Sequence, residues 1–277
     1  MSSAFSINNN APASNILANL NYVQNEINTS YAELSSGNRI NSAANDPAGY
    51  AISQQMMSQV DGLNQAVQNA QNGVSLIQTA SGAMNQVEGI LQTMNTLAVE
   101  AANGTQTSAD LSNLQQEMDS LTTQINNTGT NTQFNTLSLL SGSYASSAIT
   151  LQVGADYGQT LAFTIATISA KALFDSNASV TITSQSFAQA AISLIQNAIT
   201  SLSAYQANLG AIQDQLGYTV SNLQNSSENL TNAESTITNT NMASTYTQYS
   251  QQQVLQQVGL AMLGQAQQQP AAILKLL

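Results

Sequence analysis

From Ile195 onward an aliphatic residue recurs at every seventh position: Ile195, Leu202, Leu209, Leu216, Leu223, Leu230 and Ile237. A repeat of seven keeps these side chains on one stripe of a helix, and a stripe of this length predicts coiled-coil packing rather than a helix buried in a globule. A second stripe lies earlier in the chain. After Pro47 no proline intervenes before Asn103, and Met56, Val60, Leu63, Val67, Ala70, Val74, Ile77, Met84, Leu91 and Ala98 keep near-heptad spacing. About 57 residues at ~1.5 Å each would span roughly 85 Å, too long for a compact domain.

The remaining segments follow from the same periodicities. Ile16, Leu20, Val23, Ile27, Tyr31 and Leu34 share one face of a first helix that Gly37 can stop. In "NDP", Asn45 or Asp46 can cap the next helix and Pro47 suits its first turn. "ANGTQTSAD" turns the chain and offers a capping Ser or Thr before a third helix marked by Leu111, Leu114, Met118, Leu121 and Ile125. "AITLQVGADYGQTLAFTIATI" alternates like strands, most simply a hairpin around "GADYGQ". Near the C-terminus Val254, Leu255, Val258, Met262 and Ala266 mark one more helical face. Neither end can bury its stripe alone, so the two ends must pair. The expected fold is mainly α: an elongated rod of long antiparallel helices in coiled-coil packing, formed by both chain ends, with a small β-hairpin insert.

Composition narrows the function. Lys+Arg number 3 against 14 Asp+Glu, a formal net charge of -11, which argues against binding nucleic acid or an anionic membrane. There is no cysteine or histidine, so thiol nucleophiles, the usual zinc ligands and the commonest general base are all missing. No catalytic, metal or cofactor-binding residue is expected, and Glu88, Glu100, Glu117 and Asp119 read as a solvated face rather than a paired acid and base. Met56, Met84, Met94 and Met118 fall at helical spacing and read as core filler. The Asn-X-Ser/Thr matches carry no weight in a chain so rich in those residues. The N-terminus lacks the basic and apolar regions of a secretory signal. With charged residues at only 6%, the outer faces neither repel one another nor hold much water, which favours self-association.

"LSSGNRINSAANDPAGYAIS" (Leu34 to Ser53), "NAQNGVSLIQTASGAM", "LAVEAANGT" and "TQFNTLSLLSG" resemble the N-terminal region of bacterial flagellins. "ANLGAIQDQL", "NLQNSSENLTNAESTI" and "AMLGQAQQQPAAILKLL" resemble the C-terminal region. The resemblance implies a structural subunit of the flagellar filament, extracellular, exported unfolded by the flagellar type III apparatus and assembled at the distal tip. Residues 1–44 would form the N-terminal part of an inner, channel-lining domain plus a spoke, and 45–142 part of a rod domain. Residues 143–186 would be its short insert, 187–236 its C-terminal part, and 237–277 the rest of the inner domain. Large outer domains of the family would be missing. Two alternatives are a hook-filament junction protein and, from another class, a signalling coiled coil of the chemoreceptor type.

Arg39 is the only arginine in the chain. Its five donors in a rigid fork could tie free carbonyls or a carboxylate between two helices. By resemblance, Arg39, Asn41, Asp46 and Pro47 belong to the spoke and pack against neighbouring subunits, while Ile16, Leu20, Val23, Ile27, Leu255, Val258 and Met262 form the inner coiled coil. Implied partners are further copies of the chain, hook-associated junction and cap proteins, and an export chaperone on the C-terminal helices. The flagellin-sensing Toll-like receptor of animals is another. Family members that it recognises carry "LQRxRxLAVQ", where this chain has "LQTMNTLAVE". Leu91, Gln92, Thr93, Asn95 and Glu117 would face the receptor, with Thr93 and Asn95 in place of arginines, so the expected response is weak.

Overall fold

The computed structural model describes residues 10–174 and 180–274; part of the expected insert and both extreme termini lie outside them. Long helices dominate: α1 (Ala11–Ser36), α2 (Pro47–Ala101), α3 (Ser108–Asn131), α6 (Gln185–Thr238) and α7 (Met242–Leu274). Of two single-turn helices, α4 (Ser143–Ser146) separates the two pairs of strands and α5 (Ala170–Leu173) follows the second. Strands β1 (Gln133–Phe134) and β2 (Leu137–Ser138) pair antiparallel, as do β3 (Ile149–Gln152) and β4 (Thr160–Phe163). The second pair is the hairpin expected around "GADYGQ". The first was not anticipated.

The chain divides into two compact units, one of Met1–Ser58 with Asn229–Leu277 and one of Gln59–Glu228. In the second unit, α2 buries Leu63, Ala66, Ala70, Ile77, Ala80, Met84, Val87, Leu91, Met94 and Ala98. With buried Gly73 between Ala70 and Ile77, their spacing alternates by three and four, the knobs-into-holes pattern of a heptad. The facing stripe of α6 buries Ile195, Leu202, Leu209, Leu216 and Leu223. Gly73 approaches Leu216, Asn85 accepts from Gln206, and Asn64 accepts from Ser227. Rising numbers on α2 thus meet falling numbers on α6, and the pair is antiparallel. Met84, Met94 and Met118 are buried core residues, as their spacing suggested, whereas Met56 is only partly buried.

Close approach fixes the rest of this unit. Gln115 of α3 accepts from Ile182 N and donates to Val180 O, pinning the segment before α6. Gly129 packs so tightly under the Ile168 carbonyl that a Cβ there could not be accommodated. Thr107 caps α3 and forms a capping box with Asp110, confirming a hydroxyl cap in "ANGTQTSAD".

Candidate assembly surfaces

The segment from Gly37 to Asp46 joins α1 to α2, and its Arg39, Asn41 and Asp46 side chains bond helix ends. Gly37 adopts a left-handed conformation, φ 76°, and its N–H returns to Glu33 O, closing α1. Asn41 Nδ2 donates to Ala32 O at 3.1 Å and to Ser36 Oγ at 2.8 Å. Asp46 Oδ1 accepts from Ala48 N and Gly49 N, capping α2, with Pro47 at the first helical position. Gly49 has no space for a Cβ, which would collide with Asp46 and with buried Ile40.

Arg39 reaches the other end of the chain. Its backbone N–H donates to Thr238 O at 2.6 Å, and Nη2 donates to Ile237 O at 2.6 Å. Both carbonyls belong to the last turn of α6, where no further helical N–H is available. A cation there also meets the negative end of the helix dipole. Asn38 and Asn239 form an antiparallel bridge, and Thr240 N donates to Gly37 O at 2.9 Å. The arginine therefore caps a C-terminal helix from an N-terminal segment. Of the two partners open to it, carbonyls and a carboxylate, it takes the carbonyls.

Helices α1 and α7 pack together in the same unit. Asn10 bonds to Ala266 O, Leu20 meets Gly259, Gln24 bonds Gln256, and Ser30 donates to Gln252. The descending order shows that the pair is antiparallel. On α1 the expected face is the seam: Ile27 is buried, and Ile16, Leu20 and Val23 are partly buried. Tyr31 departs from it and is exposed. On α7 the expectation is corrected. Leu255, Val258 and Met262 are 50%, 53% and 54% exposed. The face toward α1 is instead Gln252, Gln256, Gly259, Leu263 and Ala266. These also alternate by four and three, but glutamine and glycine carry the contact, since a helix with small residues can approach Leu20 closely.

The receptor stretch is also revised. Leu91 is fully buried, because it shares the heptad phase of Met84 and Ala98, so it cannot face a partner. Gln92, Thr93 and Glu117 are exposed. Thr93 Oγ1 donates back to Gly89 O at 3.0 Å. Asn95 is partly buried, and its Oδ1 lacks a hydrogen-bond partner.

Among the described residues no cluster of His, Cys, Asp or Glu could hold a metal ion. No helix among them is long and apolar enough to cross a membrane.

Comparison with known proteins places the chain. Residues 7–145 match the bacterial flagellin N-terminal helical region, and residues 192–277 match the C-terminal helical region. The chain is 41% identical over 271 residues to a flagellin of Halalkalibacterium halodurans, covering 98% of this chain and 99% of that one. It is 35% identical to a flagellar filament core protein of Brachyspira hyodysenteriae, again covering 98% and 99%. The crystal structure of Bacillus cereus flagellin aligns with TM-score 0.50 and 26% identity, over 56% of this chain and 88% of that one. A putative flagellar hook-associated protein from Vibrio parahaemolyticus aligns with TM-score 0.59 over 70% of this chain and 99% of that one, but at 15% identity the likeness is one of fold.

Proposed function

Because the chain belongs to the bacterial flagellin family, we propose that it is exported unfolded and added at the distal tip of the flagellum as the repeating subunit of the filament. The filament is extracellular, and the subunit's mechanism is packing. The near full-length match to a flagellin and to a filament core protein supports this reading over a junction protein. Junction and cap proteins would meet the filament at its ends. An export chaperone would cover the C-terminal helices beforehand.

The observation that carries the proposal is the apolar face left open on α7, where Leu255, Val258 and Met262 are about half exposed with α1 already in place. Contiguous apolar surface of this kind marks an interaction site. A second copy is the occupant that a homopolymer supplies. Burying the exposed half of each side chain contributes about 1 kcal/mol, so the three together contribute about a hundredfold in subunit affinity. Replacing all three with glutamine tests the proposal by sedimentation of seeded protein. The monomer should keep its helix content while the critical concentration rises by about that factor. Unchanged assembly would remove the basis for the reading.

A further inference from the structure

The dipeptide Asn-Gly occurs at Asn72–Gly73 and again at Asn103–Gly104, and the fold treats the two in opposite ways. Gly73 lies inside α2 and is buried against Leu151 and Leu216, so its N–H is held in the helical ladder. Asn103 and Gly104 are exposed in the turn between α2 and α3. Asn103 N donates to Glu100 O at 3.1 Å, and Gln106 N donates to Asn103 O at 3.3 Å. Between those two bonds, the Gly104 N–H and the Asn103 side-chain amide bond no group among the described residues. Gly104 also has no Cβ to shield its nitrogen, and the nearest group to where one would stand, Gln185 Nε2, is 3.8 Å away.

We propose that Asn103 is a site of self-modification, where the side chain condenses with the Gly104 nitrogen and is converted irreversibly to aspartate or isoaspartate. Asparagine is among the thermolabile side chains, and this turn leaves both reacting groups free. The Gly104 nitrogen loses its proton to solvent and bonds to Asn103 Cγ. The Cγ–Nδ2 bond breaks, and Nδ2 takes up a proton and leaves as ammonia. Water then opens the cyclic imide. Cleaving the bond from Gly104 N to Cγ yields aspartate, whereas cleaving the bond to the Asn103 backbone carbonyl carbon yields isoaspartate. Water enters and ammonia leaves, so the balance needs no oxidant or cofactor. At Asn72 the same attack would require Gly73 to give up its helical bond and its packing, which protects that residue. Either product puts a new negative charge just beyond the C-terminus of α2, where the helix dipole is already negative. Isoaspartate also lengthens the backbone of the turn that joins α2 to α3. Older chains are thereby marked at one position.

Cleavage after Glu100 and Glu117 releases residues 101–117, in which fragmentation separates Asn103 from Asn113. In full-length protein kept folded at neutral pH, mass spectra should show amide-to-acid exchange at Asn103 well before Asn72. The same peptide should become a methyl acceptor for an isoaspartyl carboxyl methyltransferase. Gly104→Ala should lose the conversion and keep the helix content, because Gly104 does not use the left-handed region and a Cβ fits there. In urea, where the fold no longer distinguishes them, the two Asn-Gly pairs should convert alike. An Asn103 that keeps its amide in the folded chain but loses it in urea would overturn the proposal. So would folded protein in which Asn72 converts as fast as Asn103, or a Gly104→Ala chain that converts as fast as the unmodified one.

Discussion

Arg39 holds the last carbonyls of α6 with its backbone N–H and its guanidinium together, which explains why a chain nearly devoid of cations has one here. Arg39→Ala should leave the long helices formed but weaken the unit built from the two chain ends by about 1–2 kcal/mol, the worth of a charge-assisted bond at a helix terminus. Circular dichroism melts check the stability, and a parallel assembly assay should show lower polymer yield. Lysine should restore only part of it, having a charge but no planar fork. A second residue prediction concerns acid. Asp110 has its carboxyl held below the usual carboxylate range by the Thr107 hydroxyl and then by the Thr107 backbone N–H. A carboxylate lowered on folding adds stability above its unfolded pKa of about 4, and that stability is lost as pH falls through the folded value. Thr107→Ala should therefore destabilise the protein at neutral pH and show a smaller effect in acid, once the Asp110 carboxyl is protonated in the folded state, measured by thermal melts at both. On the exposed face of α2, Thr93→Arg should raise receptor activation from a weak baseline. A reporter-cell assay on monomers checks it, and strong activation by the unmodified protein would show that Thr93 is not limiting.

At the scale of elements, the β1–β2 hairpin carries strain. Its two turn residues, Asn135 and Thr136, have φ of 48° and 66°, the left-handed pair of a type I′ turn. Asparagine tolerates this region, but a β-branched residue there costs about 1–3 kcal/mol. Thr136→Gly should therefore raise the melting temperature by about 2–4 °C. Removing Asn239–Leu277 should do the opposite to α1, whose seam would lose Gly259, Leu263 and Ala266. Loss of more helical signal than α7 alone accounts for would confirm the paired ends, and a truncated chain that still polymerised would contradict them. The long helices were legible in the sequence because α2 and α6 repeat their apolar residues in one heptad phase. The β1–β2 turn was not, because nothing but Asn135 signals φ above zero. The α7 seam was hidden for another reason: apolar residues surround that helix, so hydrophobicity points at Leu255 and Val258 while the contact runs through Gln252, Gln256 and Gly259. Leu91 was misplaced because a linear motif match carries no face; its phase with Met84 and Ala98 did.

For the whole molecule, the charge distribution sets the solution behaviour. Net charge is -11 with no histidine and no cysteine, so almost nothing titrates between the carboxylates and the tyrosines. Assembly should be nearly constant from about pH 6 to 9 and should tolerate salt, because exposed ion pairs contribute little and few cations exist to form them. Turbidity across pH and salt checks this, and mild acid should not dissociate the polymer, since protonating carboxylates reduces like-charge repulsion. Both chain ends form one packing unit, and we propose that its open apolar face recruits further copies. Electron microscopy of the purified, full-length protein after seeding tests it most directly. Long tubular filaments are the expected result; short closed oligomers or isolated monomers under those conditions would overturn this reading.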